Sequence, residues 1–204
     1  MKPRIQAVSP SYYGQHAQAY AASTRDVDMV PLYARFLPHV PAGGLILDAG
    51  CGSGRDALAF LQRGYAVEAF DASPELAQLA TQHTGIPVKV MRFQELDDTA
   101  RFDAIWACAS LLHVPAHEQA QAWAGLWRAL QPGSVIYASY KLGQGERVDE
   151  AGRAFTDADE QRLSEWLSPL PDVSRVDTWL STDQRPDQAQ TWLNALVHRQ
   201  PAKR

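Results

Sequence analysis

Leu45-Ile46-Leu47-Asp48-Ala49-Gly50-Cys51-Gly52-Ser53-Gly54 reads as a strand that breaks into three glycines at alternate positions just before a helix. Glycine permits positive φ and has no Cβ, so such a backbone can turn sharply and lie against a ligand above the strand end. Asp71 stands at the end of the next apolar run, where a carboxylate can accept hydrogen bonds from two ribose hydroxyls. A dinucleotide fingerprint, GxGxxG, would carry its third glycine where this chain has Arg55; the glycines here run GxGxG, which disfavours a nicotinamide-dependent oxidoreductase.

Working outward, short apolar runs alternate with helical ones, the signature of βαβ units and a parallel sheet covered on both faces. The pattern predicts strands at 45–49, 66–70, 87–91, 104–108 and 134–140. Helices are predicted at 55–62, from Pro74 after the cap Ser73, and at 115–130. Trp123 and Trp127 share one face of the last of these and read as core. Before the glycine run, helices are expected from Ser9-Pro10 to about residue 22 and over 28–37. After it, Thr156 with Asp159 resembles a capping box opening a helix to about residue 167. Runs at 173–180 and 190–198 read as an antiparallel strand pair.

The chain resembles the class I S-adenosylmethionine-dependent methyltransferases on these residues. Their first motif, an acidic residue followed by GxGxG, matches Asp48, Gly50, Gly52 and Gly54. Phe102-Asp103-Ala104-Ile105-Trp106 is similar to the family's fourth strand, and Leu130-Gln131-Pro132-Gly133-Ser134 to its LxPGG turn, with serine replacing the second glycine. The resemblance covers about residues 45–140, and the compact chain is similar to small-molecule and tellurite-resistance members. It implies a three-layer Rossmann-like α/β fold, a seven-stranded, mostly parallel sheet with one antiparallel strand, and S-adenosyl-L-methionine as cofactor. Asp48, Ala49 and the backbone of Gly50, Cys51, Gly52 and Gly54 would face the methionine part, and Asp71 with Ala72 and Ser73 the ribose. An acidic site suits a ligand carrying an ammonium and a sulfonium. Many members place an Asp after strand three to bind the adenine amino group. This chain has Arg92-Phe93-Gln94-Glu95, so Gln94 or Glu95 would substitute, with Phe93 against the ring.

Methyl transfer from a sulfonium is an in-line displacement with a neutral leaving group, so alignment and exclusion of water can supply much of the acceleration. Ala107, Ser110, His113 and Tyr140-Lys141 lie at the ends of strands four and five, which should flank the sulfonium. His113 is a candidate base, against the plainer reading of a histidine that caps a loop or lines a wall; Ser110 would bond backbone or cofactor. Tyr12, Tyr13 and Tyr20, with Arg25 nearby, can form part of a lid, or the first helix can simply pack its aromatic side on the domain. If the strand from Val173 runs parallel to the core, its loop with Asp183 and Arg185 emerges on the cofactor side. There Lys141, Arg153 and Arg185 would suit an anionic acceptor, the alternative being solvated surface cations.

Bulk properties limit the partners. With 204 residues, 46% hydrophobic and 21% charged, the chain is expected to form one soluble domain, with cofactor-covering helices over 1–40, the cofactor core over 45–140 and a helix with the strand pair over 141–204. The N-terminus lacks the apolar core of a secretory signal, and a cytoplasmic location is expected. Cys51 and Cys108 have no metal-ligand spacing, nor do His16, His39, His83, His117 and His198, so no metal is expected. A net charge of -4 disfavours nucleic acid as a partner. The expected partner is a small methyl acceptor. The rivals are an enzyme acting on protein or tRNA and a module that holds the cofactor without turnover.

Overall fold

The alternation of apolar runs with amphipathic helices builds a seven-stranded sheet in the computed structural model, which describes residues 9–183 and 189–203, with side chains from residue 16 onward. In chain order the elements are α1 (Ser9–Thr24), α2 (Val30–Phe36), β1 (Leu45–Ala49), α3 (Arg55–Gln62), β2 (Ala66–Asp71), α4 (Pro74–Thr84), β3 (Val88–Val90) and β4 (Phe102–Ala107). They continue with α5 (Gln119–Ala129), β5 (Leu130–Lys141), β6 (Gly145–Val148), β7 (Ala154–Asp157), α6 (Glu160–Leu167), β8 (Val173–Thr182) and β9 (Thr191–Arg199).

The sheet order is β3-β2-β1-β4-β5-β9-β8. The first five strands are mutually parallel, while β9 runs antiparallel to both neighbours, so β8 points the same way as the core strands. The chain steps outward from β1 to β3 and then returns to lay β4 on the other side of β1. That reversal opens a crevice above the carboxyl ends of β1 and β4, where α/β sheets hold their ligands.

Both faces are covered. On one, Tyr33 and Phe36 of α2 and Ala57 and Phe60 of α3 bury Ile46, Trp106 and Tyr137. On the other, Trp123, Leu126 and Trp127 of α5 and Leu163, Trp166 and Leu167 of α6 pack on Ile105, Ala107, Ile136 and Ala138. Trp123 and Trp127 are therefore core. Trp123 Nε1 also donates to Tyr140 Oη (3.1 Å), which donates to Gln119 Oε1 (2.8 Å). Gln119 Nε2 in turn bonds the carbonyls of Leu111 and Val114, fixing the tight turn Leu111–His113 beside the crevice.

Two local expectations are corrected. Thr156 caps nothing: it lies in β7 and donates its hydroxyl to the Val114 carbonyl (2.8 Å), while Asp159 caps α6 by accepting from Arg162 N (2.9 Å). The helix expected over 115–130 is a 3-10 turn at Ala116–Glu118 followed by α5. The hairpin β6–β7 was not foreseen, because Gly145-Glu146-Arg147-Val148 has one apolar residue in four and no alternation to read. Among the described residues no helix is long and apolar enough to cross a membrane.

Candidate cofactor and acceptor site

The glycine run caps β1 and turns across the crevice. Gly50 N and Cys51 N both donate to the Phe70 carbonyl (2.9 Å), tying the loop to the end of β2. At Gly50 (φ +73°) a Cβ would lie 2.5 Å from Ser110 Cβ, so only glycine lets the loop after β4 close down here. Gly54 (φ +83°) answers a different need. A Cβ there would meet Thr84 Cγ2 at 2.8 Å and Ala80 Cβ at 3.1 Å, so its glycine serves the packing of α3 on α4.

Asp71, the last residue of β2, is nine-tenths buried; its Oδ2 accepts from Gly52 N and its Oδ1 from Ser73 N, both at 2.8 Å. One carboxylate thus orders the glycine loop and the start of α4. Burial pushes its pKa up to about 6, against the pull of backbone N–H groups of Ser73, Gly52 and Ala72.

Two adjoining cavities open over these strand ends. The first is lined by Phe70, Asp71, Ala72, Ser73, Met91, Phe93, Gln94 and Ser110. The second is lined by Cys51, Arg55, Asp56, Cys108, Leu112, Tyr137, Ser139, Lys141, Arg153, Phe155, Trp192 and Asn194, with Val27, Met29, Pro31 and Leu32 from the segment around the start of α2. Tyr20, Gly50, Gly52, Ala109 and His113 border both and form a neck between them.

The structure therefore brings together Tyr20, Gly50, Cys51, Gly52, Asp71, Ala72, Ser73, Phe93, Gln94, Ser110, His113, Lys141 and Arg153. Others expected at the cofactor do not line these cavities. Asp48 is buried beneath the loop, where its Oδ2 has no hydrogen-bond partner, and burial followed by the charge of Asp56 holds it well above the usual carboxylate range. Ala49 contributes its carbonyl to Ser110 Oγ (2.7 Å) and is otherwise core, as is Ala107, which faces α5. Gly54 packs on α4, as described. Glu95 is exposed and turns back to accept from Arg92 N (2.8 Å), and Arg25 is exposed just beyond the end of α1. Tyr13 lies in α1 among residues whose side chains are not described, and Arg185 lies outside the described residues. Asp183, at the end of β8, does line the second cavity, as the direction of β8 requires.

Several lining residues were not singled out from the sequence. Ser139 and Asn194 are cross-strand partners on β5 and β9, both buried. Asn194 accepts from Tyr137 Oη (2.7 Å) and donates to Ser181 Oγ (2.9 Å), so a polar row crosses the floor of the second cavity. The available signal was a lone amide inside Leu193-Asn194-Ala195-Leu196-Val197, since a polar residue at an inward strand position must have a partner. Asp56 anchors a second network, accepting from Arg55 Nε (2.7 Å) and Nη2 (2.9 Å), from Trp106 Nε1 (2.8 Å) and from Tyr33 Oη. Burial alone would raise its pKa, but the Arg55 ion pair and these hydrogen bonds hold it below the usual value. Arg55 also reaches the Thr24 carbonyl at the end of α1 (3.2 Å), tying that helix to the glycine loop.

His113 sits at the neck with Nδ1 3.0 Å from the Ala154 carbonyl, a contact that requires the Nδ1–H tautomer. Burial lowers its pKa to about 4, against the raising effect of the Ala154 carbonyl and with Arg153 and Lys141 pushing it further down. The ring is therefore neutral near pH 7.

A methyltransferase-domain family profile matches residues 46–133. The ubiquinone biosynthesis O-methyltransferase of Xanthomonas axonopodis pv. citri is 35% identical over 108 residues, covering 48% of this chain and 44% of that protein. Its counterpart from Xanthomonas campestris pv. campestris strain B100 is 31% identical over 160 residues, covering 68% and 66%. The first of these matches spans less than half of the relative's own length. Among solved structures, Burkholderia thailandensis 1,6-didemethyltoxoflavin-N1-methyltransferase, with bound 1,6-didemethyltoxoflavin and S-adenosylhomocysteine, superposes at a TM-score of 0.72 and 25% identity, covering 98% of this chain and 93% of that one. The residues present suit such a cofactor: the backbone at Gly52 is open to both cavities, and the Asp71 carboxyl stands at the end of β2 beside the first of them. With this glycine loop, this strand order and these relatives, the chain belongs to the class I S-adenosylmethionine-dependent methyltransferases, and S-adenosylmethionine is its cofactor.

Proposed function

We propose that the protein transfers the methyl group of S-adenosylmethionine to a small molecule held in the second cavity, with the nucleoside in the first. The observation that carries this reading is the neck: Tyr20, Gly50, Gly52, Ala109 and His113 border at once a smaller, mostly apolar cavity and a larger one with more polar groups in its wall. When bound, the cofactor supplies an electrophilic methyl on a sulfonium whose departure leaves a neutral thioether. The protein's task is then to align two molecules and exclude water. In this reading Asp71 accepts from the ribose hydroxyls and Phe93 lies against the adenine, with Gln94 at its polar edge. Tyr20 closes the neck from α1.

The acceptor we propose is a ring-borne oxygen or nitrogen nucleophile with an anionic group. The relatives named for ubiquinone biosynthesis and for didemethyltoxoflavin motivate the ring, and the basic end of the second cavity motivates the anion. There Lys141 Nζ lies 3.8 Å from the centre of the Phe155 ring, and Arg153, ion-paired to Asp149, stacks on the same ring at 5.4 Å. Arg185, from its place after β8, belongs to the same proposal. In this reading His113, whose Nδ1–H is held by the Ala154 carbonyl, accepts from the acceptor's O–H or N–H at Nε2. With burial lowering its pKa to about 4, it is better suited to orient the acceptor's O–H or N–H than to remove the proton.

Calorimetric titration with S-adenosylmethionine and S-adenosylhomocysteine, followed by labelled-methyl transfer to a panel of hydroxy- and amino-aryl acids, tests the reading. Micromolar binding with turnover is expected. Binding without transfer to any member of a wide panel would leave a protein that only holds the cofactor. For the identified acceptor, Lys141→Gln with Arg153→Gln should raise KM about tenfold or more, since charge-assisted hydrogen bonds are worth about 1.5–3 kcal/mol. The affinity for S-adenosylhomocysteine should stay unchanged. An unaltered KM would remove the anionic group from the proposal.

Proton linkage gives a separate check. Asp71 is protonated below about pH 6 in the free protein, and its carboxylate form is the one that accepts from ribose hydroxyls. Cofactor affinity should therefore be constant above about pH 7 and fall by up to about tenfold per unit as pH drops below 6. Titrations between pH 5 and 8 that show no such decline would exclude Asp71 as the ribose acceptor.

A further inference from the structure

Ala109 is one of three non-glycine residues described with positive φ (+50°), and it borders both cavities. An L-residue there has its Cβ crowded against the backbone, so the conformation persists only where its surroundings impose it. The imposing group is on the neighbouring strand. Ala109 N donates to Ser139 Oγ at 2.8 Å, and Ser139 is 3% exposed, on β5 directly beyond the Ala107–Ala138 pairing. The hydroxyl also lies 3.8 Å from Cys108 Sγ, a weak acceptor, and interacts with the Tyr137 hydroxyl, so Ser139 links the Ala109 N–H to the polar groups on the floor of the second cavity. On the far side of the neck, Ser110 Oγ ties the next residue to the Ala49 carbonyl (2.7 Å). The turn that forms this wall is thus clamped from β5 at one residue and from β1 at the next.

The sulfonium joins the nucleoside and methionine parts of the cofactor, so in a ligand spanning the two cavities it occupies the neck. We propose that Ser139 is a positioning residue for the cofactor: by holding Ala109 in the left-handed conformation it sets the wall against which the sulfonium and its methyl lie. The inference rests on the cofactor reading above but assigns to β5 a role that the glycine loop and Asp71 do not cover.

Glycine adopts the same φ without strain, which supplies the test. Ser139→Ala should weaken S-adenosylmethionine binding about tenfold, as expected when the turn that binds is populated only about a tenth of the time. Adding Ala109→Gly to that variant should restore affinity to within about threefold of wild type, and Ala109→Gly alone should bind nearly as well as wild type. A purely structural serine would lower the melting temperature without rescue at position 109. Ser139→Cys, nearly isosteric but a poor acceptor, gives the same reading should the alanine variant fail to fold. Wild-type-like affinity in both Ser139 variants, or a double variant no better than Ser139→Ala, would overturn the proposal. Failure of the wild type itself to bind S-adenosylmethionine would instead overturn the cofactor reading, and the clamp with it.

Discussion

Asp71→Asn is expected to raise the dissociation constant for S-adenosylhomocysteine about 100-fold or more while the protein still melts cooperatively. The two carboxylate oxygens face two backbone donors, Gly52 N and Ser73 N, each at 2.8 Å. An asparagine has one oxygen, so its NH2 must point at one of these N–H groups, leaving a buried donor unpaired at about 1–3 kcal/mol. That cost is present with and without ligand and falls on stability. Affinity falls because the amide loses the charge that strengthens hydrogen bonds from two ribose hydroxyls, at about 1.5–3 kcal/mol each, which reaches two or more decades. Stability should suffer less, because burial already opposes ionisation of Asp71 and an uncharged replacement removes that cost. Calorimetry and a thermal melt on the same sample separate the two effects. A variant binding within about threefold of wild type would mean that Asp71 only shapes the loop.

Asp56→Ala should be the most damaging single change to stability, costing about 3–5 kcal/mol, the range found when one partner of a buried ion pair is removed. Three side chains converge on that carboxylate, and alanine would leave the Arg55 guanidinium, Trp106 Nε1 and Tyr33 Oη without it in a site where Asp56 is 6% exposed. For a chain of this length each kcal/mol moves the melting temperature by roughly 2–4 °C, so a fall on the order of 10 °C is expected. Asp56→Asn should fall between, since it keeps a hydrogen-bond acceptor but not the charge. Chemical denaturation showing a loss below about 1 kcal/mol would show that the network contributes far less than its burial implies.

What could be read beforehand divides along physical lines. The parallel core was legible because its strands are buried on both faces and read as continuous apolar runs, and because Ser73-Pro74-Glu75 spells out a helix start that the structure realises with Ser73 Oγ accepting from Leu76 N. The glycine loop and its tie to Asp71 were legible because positive-φ glycines and an end-of-strand aspartate answer backbone needs, and backbone needs leave a local mark. In the second cavity Lys141, Arg153 and Asp183 were legible from the strand ends, but its polar floor was not, because it is assembled from residues far apart in the chain. Cys108, Ser139 and Asn194 meet only when β9 inserts beside β5, and nothing local announces a register such as Ser139 opposite Asn194. Motif membership also misled at single positions. Asp48 and Gly54 match the family pattern, yet here the first lies under the loop and the second fills a helix contact.

The order in which the last strands leave the ribosome sets this protein a problem of timing. The strand that comes to rest at the sheet's edge is made before the one that separates it from β5. Until that later strand emerges, β5 and β8 both present open edges and point the same way, and the helix between them makes a permissible right-handed crossover. At about 5–20 residues per second the interval lasts roughly one to three seconds, ample for direct β5–β8 pairing to form as a trap. Such a misfolded chain would keep the nucleoside half of the site intact while lacking Trp192 and Asn194 beside Ser139. It would keep Asp71 and the glycine loop but lack the β9 wall of the second cavity, so the two halves of the site differ in how far they depend on the handling of the nascent chain.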